Sequence, residues 1–304
     1  MKINIGIFGA GSFGETHIKV LQTINNFNII GFYEPNKKRT QEIIEKFQIK
    51  GYENAKSLIK ECDAIDIVSE TSTHHTIIKE SMKFNKHIFI EKPICAKKEE
   101  LEDLLKNGKK YPRIIQVGHI ERYNPIIIQG FQNVKNIISI NTIRTGPLNT
   151  RNQNISITTD LMIHDIDLII SLVSSELIKI EATGPNNKNQ VNHHVECNLF
   201  FKNGIVANLI SSRNERMKNE RKITINCKEK IIELDLINKI QKEVDKEIIK
   251  TLNCNNDINP LKQEFIAFYD SITKMTKPKV GIKEGCQALE IALKIDELIT
   301  KNNR

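Results

Sequence analysis

The chain has 304 residues, of which 39% are hydrophobic and 27% are charged, and its formal net charge is +8. This length is more than one hydrophobic core usually organises, so two domains are expected, and the apolar runs are too short to span a membrane. Lysines are interleaved with glutamates and tryptophan is absent, so the charge does not form a nucleic-acid patch and we expect no nucleic-acid partner.

Residues 1–120 alternate short apolar runs with amphipathic stretches. The periodicity predicts strands at 3–8, 27–33, 64–69, 87–91 and 113–118. Helices are predicted between them, at 14–24, 36–47, 74–84 and 97–107. Strands that alternate with helices form parallel βαβ units, so this segment is predicted to be an α/β domain with a doubly wound parallel sheet.

The pattern changes in the second predicted domain, residues 121–304. It predicts a helix at 125–133, a strand at 136–145, hairpins at 202–204 and 228–230, and helices at 260–275 and 282–300. Asn203-Gly204 is a favoured hairpin turn. Runs of strands with flanking helices indicate an α+β domain built on a largely antiparallel, open sheet.

Six cysteines are scattered without a CxxC pair or a ligand cluster. This spacing argues against a disulfide framework and against a zinc site. Reduced thiols fit a reducing compartment, so we expect a cytoplasmic protein with no bound metal.

The stretch GAGSFG follows the first strand and opens the first helix. It contains Gly9, Gly11, Ser12, Phe13 and Gly14. The first glycine permits a tight turn, the second lets the backbone approach a pyrophosphate, and the third lets the helix pack on the strand. The helix N-terminus offers N–H groups to that anion. These residues predict a Rossmann-type dinucleotide site.

Glu34 ends the second strand, at the spacing from the glycines at which a carboxylate binds the ribose hydroxyls. A carboxylate there repels a 2′-phosphate, which favours NAD as the cofactor. Lys37, Lys38 and Arg39 follow directly and can offset that repulsion. NADP therefore stays an alternative.

Two further motifs make a family resemblance specific. EKP (Glu91, Lys92, Pro93) ends the strand at 87–91, and DLMIH covers 160–164. Together with SETSTHH (69–75), VGHIERYNP (117–125) and KPKVGIKEGCQALEIALKI (277–295), they extend over nearly the whole chain. The sequence resembles the Gfo/Idh/MocA family of sugar and polyol dehydrogenases.

The resemblance implies roles for individual residues. In the family, the lysine that matches Lys92 contacts both the nicotinamide and the substrate hydroxyl, and the histidine that matches His164 is the usual acid/base. Residues of the SETSTHH loop and of EKP are implied as further cofactor contacts, namely Ser69, Thr71, His74, Glu91 and Lys92.

Elementary chemistry agrees with these two roles. Hydride transfer from a carbinol needs a base for the hydroxyl proton and a cation or donor for the oxygen. Lys92 lies at the carboxyl end of a predicted strand, where open α/β sheets bind ligands. The alternatives are a solvated surface lysine and a structural core histidine.

The stretch DLMIHDIDLI, 160–169, has a helical pattern but carries several ionisable residues. On a helix, Asp160, His164, Asp167 and Ser171 form one polar stripe, which we expect to face a cleft between the domains, and Asp165 lies off it. Asp160, one turn before His164, either tunes the imidazole or caps the helix. A metal site of Asp160, His164 and Asp167 is a further alternative, although no other ligand motif supports it.

Within the family, VGHIERYNP and DLMIHDIDLIISLV resemble the branch that oxidises the 3-hydroxyl of UDP-N-acetylglucosamine for lipid A biosynthesis. Such a substrate contains a diphosphate, for which arginine is a suitable ligand. Substrate contacts are expected from Lys92, Arg122, Tyr123, Asn124, Arg144, Arg151, Asp160 and His164.

Members of the family commonly associate through the open sheet, so the resemblance implies a homodimer or homotetramer. Two other functions stay open. One is an inositol- or glucose-type polyol dehydrogenase of the same family. The other is a non-catalytic, NAD-binding regulatory protein, against which the presence of Lys92 and His164 argues.

Overall fold

The computed structural model describes residues 2–132, 134–150, 152–185, 191–245, 248–254 and 258–302. The first strands and helices alternate along the chain. The strands are β1 (Ile3–Phe8), β2 (Phe27–Tyr33), β3 (Ala64–Ile67), β4 (His87–Glu91) and β5 (Ile115–Gly118). The helices are α1 (Ser12–Gln22), α2 (Lys37–Phe47), α3 (Ala55–Glu61), α4 (Thr71–Lys83) and α5 (Lys98–Gly108).

The rest of the chain begins with a 3-10 turn, Ile120–Tyr123, and contains all of the remaining described helices and strands. The helical segments are α6 (Pro125–Phe131), a π-helical turn (Thr158–Met162) that continues into α7 (Ile163–Leu172), α8 (Pro260–Lys274) and α9 (Ile282–Asn302). The strands are β6 (Ile137–Pro147), β7 (Leu177–Thr183), β8 (His194–Phe201), β9 (Val206–Asn214), β10 (Glu220–Cys227), β11 (Ile231–Asp235), β12 (Ile240–Asp245) and β13 (Ile248–Asn253).

Asparagine side chains begin several of these helices. Each accepts a hydrogen bond from a backbone N–H of the first turn, which would otherwise have no intrahelical acceptor. The residues are Asn36 for α2, Asn54 for α3, Asn124 for α6 and Asn259 for α8. Pro125 and Pro260 follow the cap of α6 and α8, where a missing N–H costs nothing.

The chain divides into two compact units. The first consists of Met1–Ile120 and Ile258–Cys286, and the second of Glu121–Asp257 and Gln287–Arg304. Residues 258–286 were predicted to lie in the second domain, so that boundary is amended. The reason is that Phe265 and Phe268 of α8 are fully buried in the core of the first unit, where the ring of Phe265 lies 4.6 Å from that of Phe89.

The first unit contains a parallel sheet in the order β2-β1-β3-β4-β5. β3, β4 and β5 are buried at every position, as is typical of strands covered on both faces, whereas the edge strand β2 is buried only in part. β2 is added on one side of β1 and β3 on the other, so the order in which strands are added reverses between β1 and β3. In sheets of this type ligands bind at the carboxyl ends of the strands beside such a reversal.

The second unit contains an eight-stranded sheet in the order β13-β12-β11-β10-β6-β9-β8-β7. Its pairs are antiparallel except for β6 and β9, which are parallel. Side chains alternate between a buried face, with Ile140, Leu209 and Ile225, and a more accessible face. The predicted fold class, a parallel nucleotide-binding sheet followed by an α+β domain with a largely antiparallel sheet, is confirmed. No helix in the described part of the chain is long and apolar enough to cross a membrane.

Candidate active site

The glycine turn between β1 and α1 has the backbone geometry that its motif predicts. Gly9 has a φ of +97°, and a Cβ there would lie 2.6 Å from the Cα of Ser69. A Cβ at Gly14 would overlap the carbonyl oxygen of Gly9, so helix and turn pack directly on each other. Gly11 caps α1 without a side chain, and apart from its two chain neighbours no described residue has an atom within 4 Å of a Cβ built there. The turn therefore leaves space and N–H groups for a pyrophosphate.

Glu34 lies beside this turn, as predicted for a ribose-binding carboxylate. Its two carboxylate oxygens accept hydrogen bonds from the backbone N–H groups of Ala10 and Asn36, each at 3.0 Å. The carboxylate is thus fixed between the glycine turn and the start of α2. Together, Glu34 and the open turn fit a dinucleotide with two free ribose hydroxyls.

The sequence suggested that Arg39 can offset the negative charge of Glu34, but in the structure its guanidinium has other partners. Its Nε donates to the carbonyl of Ala10 at 2.7 Å. Its remaining nitrogens pair with the carboxylates of Glu15 and Glu42. The guanidinium is therefore already engaged by three acceptors, which reduces its capacity to bind a 2′-phosphate.

His74 was predicted as a cofactor contact, but in the structure both of its ring nitrogens face backbone carbonyl groups. The side chain is buried, and its two ring nitrogens lie 2.9 Å from the carbonyl oxygen of Pro93 and 3.0 Å from that of Ser69. Burial lowers the pKa of this imidazole. His74 thus connects the loop after β3 to the EKP segment after β4. Thr71 follows that loop as the first residue of α4.

The EKP segment lies at the carboxyl end of β4, next to β3 and β5. Glu91 is buried, Lys92 is partly exposed, and the peptide bond between Lys92 and Pro93 is cis. The backbone N–H of Lys92 donates to Glu91 Oε2 at 3.2 Å. Lys92 therefore follows β4 at the edge of the sheet where this fold binds its ligands.

In the second unit, His164 lies in the first turn of α7, directly after the π-helical turn. It is partly exposed, whereas Ile163 and Asp165 beside it are buried. The π-helical turn is held by Asp296, whose carboxylate accepts hydrogen bonds from Ser156 at 3.0 Å and from Thr158 at 2.6 Å. Short π-helical segments are frequent at functional sites.

Asp160 lies within the π-helical turn and not at the helix N-cap, which is Ile157. The capping alternative is therefore wrong. Instead, Asp160 accepts a hydrogen bond at 2.7 Å from Arg213. The Nε of Arg213 lies 3.1 Å from His193 Nδ1, and its guanidinium also donates to the carbonyl of Ile155. Burial lowers the pKa of Arg213, and Asp160 opposes that shift.

Arg144, predicted as a diphosphate ligand, is fully buried. Its guanidinium binds both carboxylate oxygens of Asp165 at 2.8–3.1 Å, and its Nη1 donates to Glu121 at 3.0 Å. Burial raises the pKa of Glu121, but Arg144, Asn124 and Arg221 together outweigh it and hold that pKa below its ordinary value. The cluster connects β6, α7 and the 3-10 turn, so Arg144 is not available to a substrate.

Asp167 and Ser171 do not extend the polar stripe that the helical pattern predicted. Asp167 is fully buried and binds the guanidinium of Arg122 through two hydrogen bonds, at 2.5 and 3.0 Å. The hydroxyl of Ser171 donates to the carbonyl of Leu168. Of the charged residues in DLMIHDIDLI, only Asp160 and His164 reach the surface, because Asp165 and Asp167 are buried in ion pairs.

The remaining predicted substrate residues surround the start of α6. Tyr123 is buried, and Asn124 caps α6 while its amide donates to Glu121 at 2.8 Å. Arg122 has 12% of its side chain exposed. Arg151 lies outside the described residues.

Sequence reasoning missed two residues of the second unit that hold the His164 segment, Arg213 and Asp296. A signal for Arg213 existed, since it shares the buried face of its strand with Ala207 and Leu209, and a buried arginine requires a partner. Asp296 carried no comparable signal. No group of histidine, cysteine and carboxylate side chains that could hold a metal ion occurs among the described residues.

Two family models match the chain. The model for the NAD-binding Rossmann fold of the GFO/IDH/MocA oxidoreductase family matches residues 3–119. The model for the GFO/IDH/MocA C-terminal domain matches residues 146–233. The matches therefore cover parts of both units.

Individual proteins show the same similarity. UDP-N-acetylglucosamine 3-dehydrogenase of Acidithiobacillus ferrooxidans is 28% identical over 237 residues, which cover 77% of this chain and 74% of that protein. A crystal form of UDP-N-acetylglucosamine 3-dehydrogenase from this organism has a TM-score of 0.93 at 24% identity over 100% of both chains. Scyllo-inositol dehydrogenase of Lactobacillus casei, with bound NAD(H) and scyllo-inositol, has a TM-score of 0.83 at 20% identity, over 99% of this chain and 98% of that one.

Proposed function

Since the chain belongs to the Gfo/Idh/MocA family of NAD-dependent sugar and polyol dehydrogenases, we propose that it oxidises the 3-hydroxyl of UDP-N-acetylglucosamine to the 3-keto sugar. The similarity to the Acidithiobacillus ferrooxidans enzyme of that name supports this substrate. The motifs VGHIERYNP and DLMIHDIDLIISLV, which cover the 3-10 turn and α7, support the same branch.

The exposure of Lys92 and His164 is the observation that most directly supports alcohol oxidation. In each unit, a partly exposed side chain of the type that alcohol oxidation requires emerges from neighbours that are buried and fixed. Lys92 follows the buried Glu91 at the end of β4, and His164 lies beside the buried Asp165, which Arg144 holds. Fixed neighbours limit the positions that the two reactive groups can take, as catalysis requires.

In the proposed reaction, the imidazole of His164 takes the proton of the 3-hydroxyl as general base. The ammonium of Lys92 stabilises the negative charge that develops on that oxygen. The carbon then loses its hydrogen as hydride, and NAD supplies the acceptor when it is bound. Asp160, held by Arg213, positions His164.

The structure changes which residues we assign to the substrate diphosphate. Arg144 is withdrawn, because Asp165 and Glu121 occupy its guanidinium. Arg122 and Arg151 are kept, and we keep Tyr123 and Asn124 near the sugar. We also propose that the keto sugar is aminated for lipid A biosynthesis, that the enzyme acts in the cytoplasm, and that the open face of the large sheet joins subunits into a homodimer or homotetramer.

A substrate panel tests this function. Purified enzyme is mixed with NAD or NADP and with UDP-N-acetylglucosamine, glucose 6-phosphate, glucose or inositols, and NADH or NADPH absorbance is followed. We expect turnover with UDP-N-acetylglucosamine and NAD. We also expect Lys92→Ala to abolish turnover while NAD binding persists. Turnover of inositols or glucose alone would reassign the enzyme to the polyol dehydrogenases, and NAD binding without any turnover would make it a regulatory protein.

A further inference from the structure

A cluster of three ionisable side chains lies in the core of the first unit. His17 on α1 is fully buried, with its Nδ1 3.0 Å and 3.1 Å from the two carboxylate oxygens of Asp66 on β3. Its other ring nitrogen, Nε2, lies 3.4 Å from Oε1 of Glu91, the last residue of β4. Asp66 is fully buried and Glu91 is 7% exposed. Fully buried side chains of a hydrophobic core are usually apolar.

The two carboxylates favour the protonated, imidazolium form of His17, although burial also raises the pKa of Asp66. Burial lowers the pKa of His17, but the two carboxylates outweigh it and raise that pKa to about 10. Both ring nitrogens face carboxylate oxygens, and only the doubly protonated ring has an N–H for each of them. The ring is also enclosed by Phe13, Phe89 and Phe265, whose centroids lie 5.0–6.0 Å away.

Glu91 connects this cluster to the reactive edge of the sheet. While Oε1 faces His17, Oε2 accepts the backbone N–H of Lys92 at 3.2 Å. The carboxylate also lies against Gly118 at the end of β5, where a Cβ would be 2.7 Å from Oε1. The backbone from which the Lys92 side chain departs is therefore held by a carboxylate that is itself fixed on two further sides.

Stability alone does not account for the arrangement. Burying three ionisable groups costs more solvation free energy than apolar side chains of similar size would, so such clusters are weak evidence for a stabilising role. This one lies at the carboxyl ends of β3 and β4, where the fold binds its ligands, and not at the opposite edge of the sheet.

We propose that His17 is a positioning residue for Lys92, acting through the Glu91 carboxylate, an inference that rests on the catalytic role proposed for Lys92. Without the imidazolium, Glu91 has no cation beside it and turns away from the backbone of Lys92. The ammonium then departs from its position over the substrate oxygen. A displacement of about 1 Å in such a group lowers turnover by roughly a hundredfold.

The test compares His17→Gln with a matched control, His87→Gln. His87 is also a buried histidine, begins the same strand that Glu91 ends, and accepts a hydrogen bond from the backbone N–H of Ile114. Glu91→Gln is the second variant, because it keeps the size of the side chain if His17→Gln does not fold. Turnover of UDP-N-acetylglucosamine is measured together with the Kd for NAD, which is obtained by isothermal titration calorimetry.

We expect His17→Gln to lower kcat by roughly tenfold to a hundredfold, with KM and the Kd for NAD within about twofold of the wild type, and Glu91→Gln to lower kcat by a similar factor. We expect His87→Gln to keep kcat near the wild-type value. Long-range ¹H–¹⁵N NMR spectra of histidine-labelled protein at pH 8 should show both ring nitrogens of His17 protonated. Equal kcat values for folded His17→Gln and His87→Gln, or for Glu91→Gln and the wild type, would overturn the inference, as would a neutral His17 ring. Turnover by Lys92→Ala would instead refute the proposed function.

Discussion

Arg213 donates a hydrogen bond to Asp160 across 2.7 Å, and none of the Arg213 side chain is exposed to solvent. Asp160 is 26% exposed and lies in the π-helical turn that leads to His164. A carboxylate four residues before the proposed base is therefore held by a buried cation on β9. Asp160 can therefore act in two ways, by stabilising the π-helical turn and by changing the basicity of His164.

Asp160→Asn tests both roles with one change. Loss of the carboxylate leaves the buried guanidinium of Arg213 without its charged partner, and we expect the free energy of unfolding to fall by about 1–3 kcal/mol in urea titrations. A neighbouring carboxylate favours a charged imidazole. If Asp160 tunes His164, the acid limb of the kcat/KM profile moves to lower pH in the variant. An unchanged limb with reduced stability would limit Asp160 to a structural role.

Arg144→Met tests the conclusion that Arg144 is structural. The variant leaves Asp165 and Glu121 buried without their cation, and removal of one partner of a buried ion pair costs about 3–5 kcal/mol. Urea unfolding monitored by circular dichroism should show this loss. Lys179→Met, which breaks the exposed pair with Glu181, is the control and should change stability little. A stable Arg144→Met variant with a raised KM for the nucleotide sugar would restore Arg144 as a substrate ligand.

Gly11→Ala tests whether the open space at the glycine turn is used by the cofactor. Apart from its two chain neighbours, no described residue has an atom within 4 Å of a Cβ at Gly11, so folding should be unaffected. We expect the Kd for NAD, measured by calorimetry, to rise by about tenfold or more, because a methyl group occupies the approach of the pyrophosphate. Gly14→Ala is the contrasting variant, since its Cβ overlaps the Gly9 carbonyl and should lower stability as well. Unchanged NAD affinity in Gly11→Ala would contradict the proposed binding mode.

The charged state of His17 predicts a pH dependence of stability. Its pKa is about 10 in the folded protein against an ordinary value of 6.5, so the folded state binds the proton more tightly. The stabilisation is fully present below pH 6.5 and is lost as the pH rises towards 10. The difference in unfolding free energy between the wild type and His17→Gln should therefore be largest near pH 6 and should shrink by pH 10. A difference that stays constant across this range would mean that His17 is neutral in the folded protein.

The parallel sheet of the first unit could be predicted from local patterns, because each strand is an apolar run and each helix has its own periodicity. β1, β2 and β4 begin and end at the predicted residues. The last two residues of the predicted third strand, Val68 and Ser69, form a loop instead, and this loop lies against Gly9. The sequence did not reveal that α8 packs on this unit, because an amphipathic helix does not specify which core it joins.

The reactive residues were easier to predict than the residues that hold them. Lys92 and His164 stand in motifs, whereas the ion pairs of Arg144, Arg122 and Arg213 join residues that are 21 to 53 positions apart. Alternation in β6 did contain one signal, since Arg144 shares a face with the buried Ile140 and Thr142. The identity of its partner depends on how α7 packs against the sheet, and no local pattern contains that information.

The most direct test of the central claim uses UDP-N-acetylglucosamine that carries deuterium at C3. The enzyme is incubated with this sugar and NAD, and the reduced cofactor is analysed by mass spectrometry. We expect the deuterium to appear in the reduced nicotinamide, and we expect Lys92→Ala to transfer none. Reduced cofactor without deuterium, or no reduction with this sugar, would contradict oxidation at the 3-hydroxyl.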